Sequence, residues 1–141
     1  MRVCVIDGQG GGLGRVLVSG LRSILGEQHT VVAVGITPAA AKAMREAGAW
    51  CESVGQSAIV QTLPTVDVIV GTLNLVLPGA MGGEITSAVA HAILNAKAKK
   101  VLLPVNGAHV EIVGTDDCTL HALIARSLAH VARCAGTSCP D

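Results

Sequence analysis

Residues Arg2 to Gly14 read RVCVIDGQGGGLG: apolar β-formers closed by one acid, then five glycines within residues 8–14. Few folds are open to a chain that starts this way. An apolar run without polar alternation describes a strand buried on both faces. The glycine-dense turn after it lets the backbone reverse sharply and present its N–H groups where a Cβ would otherwise stand. Leu13 to Leu25 then reads as a helix, because Val16, Leu17, Leu21, Ile24 and Leu25 recur at intervals of three and four, and Gly26 ends it. Strand, glycine loop and helix in this order open a phosphate-cradling unit, in which the helix N-terminus offers unpaired donors to an anion.

The remaining chain repeats the alternation. Thr30 to Gly35 (TVVAVG) is a second buried strand; Thr37 as N-cap and Pro38 at the first helical position start a helix over Ala39 to Ala47, closed by Gly48. A short third strand falls within Trp50 to Val54, and helical turns over Ser57 to Leu63 stop at Pro64. Val66 to Gly71 (VDVIVG) is a buried strand, Thr72 to Gly83 a second glycine-containing loop, Glu84 to Ala96 a helix and Lys99 to Val105 another strand. Val110 to Val113 reads as a further short strand at an edge. Thr119 to Cys134 closes the chain as an amphipathic helix with Leu120, Leu123, Ile124, Leu128 and Val131 on one face. The fold class is therefore α/β: a single Rossmann-like, doubly wound, mostly parallel sheet with helices on both faces. Residues 1–134 are expected to form one nucleotide-binding domain and 135–141 a short flexible tail. Trp50 is the only aromatic residue, so the core must come from Val, Ile, Leu and Ala.

Charge and composition remove whole classes of partner. Ten basic and ten acidic residues give a formal net charge of zero, and the basic residues are scattered, so nucleic acid and anionic membrane are set aside. Without Tyr or Phe there is no stacking platform for single strands. No apolar stretch reaches the roughly 18 residues of a membrane span, and the reading is cytoplasmic. Five cysteines (Cys4, Cys51, Cys118, Cys134 and Cys139) show no CxxC spacing and are expected as free thiols. His130, Cys134 and Cys139 make three members of a zinc set without a fourth, so no metal site is expected.

Register decides what the first loop resembles. Strict GxGxxG fails, since a start at Gly8 puts Leu13 in the third glycine position and a start at Gly10 puts Arg15 there. A P-loop needs Gly-Lys-Ser or Gly-Lys-Thr, and no lysine precedes Lys42. What matches is GxxxGxG through Gly8, Gly12 and Gly14, so the loop resembles that of short-chain dehydrogenases, whose catalytic Tyr-x-x-x-Lys a chain without tyrosine lacks. After the second strand stand Gly35, Ile36 and Thr37 in place of the acid that binds the ribose of NAD. The ligand-binding candidates are Asp7, Gly8, Gln9, Gly10, Gly11, Gly12, Leu13, Gly14, Thr37, Gly71 and Thr72, with Asp7 ordering the loop rather than holding a metal. NAD or NADP is one candidate cofactor and another nucleotide the alternative.

Ligands of open α/β sheets sit beyond the carboxyl ends of the strands at the switch point, so Thr72 to Glu84 and Asn106 to Glu111 should border the same crevice. His109 is the candidate general acid or base, because its ordinary pKa lies near neutrality, with Asn106 and Glu84 beside it. Gly82 and Gly83 are read as preceding a helix whose first turn holds Glu84 and Thr86.

Beyond the loop, VIDGQGGGLG (Val5 to Gly14), GEIT (Gly83 to Thr86) and KKVLLPVNGAHVEIVG (Lys99 to Gly114) make the chain similar, end to end, to a family of small bacterial proteins known only as a domain of unknown function. The resemblance implies a stand-alone Rossmann-like, nucleotide-binding protein and brings no catalytic residues. Three readings follow: a non-catalytic binding or sensor protein, a small nucleotide-dependent enzyme of oxidoreductase type using His109, Asn106 or Glu84, and a structural subunit. So much aliphatic sequence with so little charge predicts a homo-oligomer, most simply a dimer, with the last helix as contact.

Overall fold

The computed structural model describes residues 1–105 and 109–136. Five parallel strands, β1 (Arg2–Asp7), β2 (Thr30–Gly35), β3 (Glu52–Val54), β4 (Val68–Thr72) and β5 (Lys99–Leu103), stand in the order β3-β2-β1-β4-β5. Helices α1 (Gly12–Leu25), α2 (Pro38–Glu46), α3 (Gln56–Thr62), α4 (Ser87–Asn95) and α5 (Leu120–Gly136) connect and close them. The expected α/β architecture is thus present, and all the strand pairs are parallel. Winding runs outward from β1 to β3, then crosses back to β4 and β5, which leaves the switch point between β1 and β4.

Alternation along the central strands explains the two-sided burial. Val3 and Val5 of β1, with Val31, Ala33, Val68 and Val70, face a layer containing Leu17, Val18 and Leu21 of α1, Met44 of α2 and Val131 of α5. Cys4 and Ile6, with Val32, Val34 and Ile69, face Ile59 of α3 and Val89 and Ile93 of α4. Both faces are covered, which is why β1, β2 and β4 read as apolar runs; full burial of each such side chain contributes about 1.5–3 kcal/mol. Trp50 lies outside this core, 71% exposed, so Val, Ile, Leu, Ala and Met build it together with Cys4.

Local signals account for most boundaries. The Thr37 hydroxyl accepts from the Ala40 N–H at 3.1 Å and Pro38 occupies the first turn of α2. Gly26 caps α1 at φ +66. Two expectations fail. Val110 to Val113 forms no strand and carries only an isolated bridge residue at Val110, because Val110 and Val113 are exposed and have no core face to bury. The fourth helix starts at Ser87 rather than Glu84. Residues 79–85 instead fold into a compact loop, with Gly79 donating to the Ile85 carbonyl at 2.7 Å and Ile85 donating to that of Ala80 at 3.1 Å. Ile85 is fully buried and anchors this loop.

Candidate functional site

β1 runs out at Asp7, whose two carboxylate oxygens accept from the Gly8 N–H at 2.8 Å and the Gly14 N–H at 2.7 Å. Gly14 is the third residue of α1, and the N-cap Gly11 has no side chain to satisfy it. Asp7 supplies that cap from the strand. Burial raises the Asp7 pKa from its ordinary value, and the hydrogen bonds from Gly14 and Gly8 pull against the rise. The N–H groups of Gly12 and Leu13 find no acceptor among the described residues; they belong to the donors that a helix start leaves unpaired.

The loop glycines divide by what surrounds them. Gly11 sits at φ +71, and a Cβ there would come 2.8 Å from Ala40 Cα; a Cβ on Gly14 would come 2.8 Å from Asp7 Cβ. Those two are required by the fold itself. Gly10 and Gly12 have no positive φ and nothing within 4 Å of a built Cβ. Nothing among the described residues uses their smallness.

Beyond the carboxyl ends of β1 and β4 lies an open crevice of about 650 Å³, lined by Asp7, the segment Gly8 to Leu13, Thr72, Asn74, Met81 and Gly82. It sits at the switch point. Thr72 is 7% exposed, and its Oγ1 is buried without a partner among the described residues. An unpaired buried hydroxyl costs about 1–3 kcal/mol. Gln9 (φ 51) and Met81 (φ 55) are the two non-glycine residues at positive φ among the described residues, and both line the crevice. Strained backbone of this kind concentrates at ligand sites. No lysine or arginine lines it.

Of the residues singled out from sequence, Asp7, Gly8 to Leu13 and Thr72 are brought together here. Gly14, Thr37 and Gly71 lie just behind. Gly14 holds Asp7, the Thr37 hydroxyl donates to the Gln9 carbonyl, and a Cβ on Gly71 would stand 2.8 Å from the Ile6 carbonyl oxygen. Glu84 is not in a first helical turn, which corrects that expectation: Thr86 is the N-cap of α4, accepting from Val89 N–H at 3.2 Å. Glu84 instead tucks under the loop, its Oε2 buried without a partner among the described residues and 3.2 Å from where a Gly8 Cβ would be. His109 and Glu111 are exposed and do not line the crevice; Asn106 lies outside the described residues. Asn74 and Met81 were missed as individuals. The sequence signals were an amide two residues past a strand end and a lone Met inside GAMGG.

Cys4, Cys51 and Cys118 are free thiols, and burial pushes the Cys4 thiol up to about 12. Cys134 is disulfide-bonded, which overturns the expectation of free thiols at that position; Cys139 lies outside the described residues. No group of three or more metal-ligating side chains occurs among the described residues.

Three comparisons bear on this arrangement. The family described as "Domain of unknown function (DUF3842)" matches residues 2–136. Among curated proteins no sequence matches. Among solved structures the chain is similar to a dodecameric FMN-dependent Ubix-like decarboxylase from Escherichia coli O157:H7, with 15% identity and a TM-score of 0.55, covering 100% of this chain and 98% of that one. At that identity the likeness shows the fold.

Proposed function

We propose that this chain, which belongs to the family described as a domain of unknown function (DUF3842), binds the phosphate of a nucleotide-type ligand at the Asp7 to Leu13 loop and works as a binding or sensor protein. One observation carries the reading: the buried, unpartnered Thr72 hydroxyl shares a crevice with the unpaired N–H groups that open α1. Together they make a set of neutral donors at the positive end of a helix dipole, the environment a phosphate oxygen satisfies. FMN, NAD and NADP all present such a group, and the FMN of the structural neighbour places flavin nucleotides among the ligands to test. Gly10 and Gly12 are the positions where small size serves a ligand's approach rather than packing.

Thermal-shift screening against FMN, NAD, NADP and adenine and guanine nucleotides tests this. Ligand at a hundred times its dissociation constant stabilises by about 2.7 kcal/mol, several degrees for a domain of this size. Gly12→Val should fold, because nothing lies within 4 Å of its Cβ, and should lose the shift. A retained shift places the ligand elsewhere, and no shift with any nucleotide favours a structural subunit.

A second reading, a small nucleotide-dependent enzyme, draws on the orphaned carboxylate oxygen of Glu84 beside Gly8. Under it Glu84→Gln retains ligand affinity and loses turnover.

A further inference from the structure

We infer, resting on the phosphate reading above, that the ligand is a mononucleotide whose phosphate monoester ends at this loop, and that a dinucleotide is excluded. A dinucleotide in a doubly wound domain lays its pyrophosphate across the first loop and places one nucleoside over β2, where an acid after that strand takes the ribose. Here that side is closed. The Thr37 hydroxyl at the start of α2 donates to the Gln9 carbonyl. Gly11 is packed so closely on α2 that an added Cβ would come within 2.8 Å of Ala40 Cα and 2.9 Å of its carbonyl oxygen. Gly35, Ile36 and Thr37 carry no acid, and nothing from the β2–α2 turn lines the crevice.

The opening lies on the β4 side. From Thr72 the crevice extends to Asn74, Met81 and Gly82, so the ligand body runs over β4 with the Asn74 amide as its polar contact. Its volume, about 650 Å³, is within the usual range for small-molecule sites. Donor supply points the same way. The positive end of α1 is equivalent to about half a unit charge, no lysine or arginine lines the crevice, and Asp7 already faces it. One phosphate is matched by the Gly12 and Leu13 amides and the Thr72 hydroxyl; a pyrophosphate would leave its second phosphate without donors of this kind in the lining.

Isothermal titration of the full chain with FMN, AMP, riboflavin, adenosine and NAD tests this. Expected is binding of FMN or AMP, with the matching unphosphorylated nucleoside at least 100-fold weaker and NAD at least tenfold weaker than the better monophosphate. NAD binding as tightly as the monophosphates overturns the mononucleotide inference and leaves the phosphate reading standing. A nucleoside binding as tightly as its monophosphate, or no binding by any of the five, overturns the phosphate reading and this inference with it. Thr72→Val removes a buried hydroxyl that has no partner among the described residues to lose, so its thermal midpoint should hold or rise while monophosphate affinity falls at least tenfold. Unchanged affinity in the folded variant overturns the assignment.

Discussion

Asp7 holds its charge in a place that disfavours it. Burial raises its pKa, and the two amide hydrogen bonds from Gly14 and Gly8 only partly oppose that. The native state therefore binds the Asp7 proton more tightly than the unfolded chain does. Its contribution to stability is fully present below the ordinary aspartate value of about 3.9 and is lost as pH rises through the higher native value. Urea unfolding of the wild type and of Asp7→Asn across this window should show the wild type losing ground to the variant as pH rises; a pH-independent difference would contradict the linkage. The charge is kept because a carboxylate accepts from two donors at once, whereas an asparagine would turn its own NH₂ toward one of them.

At the scale of elements, the start of α4 separates what a motif suggests from what a chain builds. Glycines followed by Glu84 resemble a helix start, but Met81, Gly82 and Gly83 all take positive φ and turn the backbone away. The helix waits for Thr86, whose extended backbone and hydroxyl form a true N-cap. Thr86→Ala should cost about 1 kcal/mol, read as a thermal midpoint a few degrees lower, with Thr86→Ser restoring most of it. An unchanged midpoint would mean that burial of Ile85 alone sets this boundary. The same loop positions Met81 and Gly82 on the crevice, so its geometry shapes the site as well as the helix.

For the whole molecule, the question is which apolar surface remains after folding. The stripe of α5 proposed as an oligomer contact is largely used internally, since Val131 is buried and Leu123, Ile124 and Leu128 pack on the core. On α1 and α5 the large apolar side chains that stay outside are Val16, 43% exposed, Ile24, 46% exposed, and Leu120, 51% exposed. Val16 lines a groove of about 660 Å³ between α1 and α5 with Gly20, Ile124 and Leu128. As a proposal, the homo-oligomer contact expected from the sequence lies on this α1–α5 face. Light scattering at micromolar concentration should return a dimer or larger assembly, and Val16→Lys should shift it to monomer without lowering the thermal midpoint. Monomer alone for the wild type would refute it. No helix among the described residues is long and apolar enough to cross a membrane.

Apolar periodicity and caps are local, and they suffice for the α/β class, the placement of all five strands and the glycine loop at the end of β1. Thr37 and Pro38 mark α2 because their chemistry acts on their own turn. Tertiary structure decided the rest. The switch-point rule led to Thr72 to Glu84 at the crevice, but that Asn74, Met81 and Gly82 line it with Thr72 while His109 and Glu111 do not depends on a crossover and a loop path that no local pattern encodes. Sequence also could not divide the glycines: Gly11 and Gly14 answer to Ala40, Met44 and Asp7 across space, while Gly10 and Gly12 answer to nothing among the described residues. Spacing along the chain identifies a loop that can approach a phosphate; only the packing of α2 against it determines from which side the rest of a ligand can come.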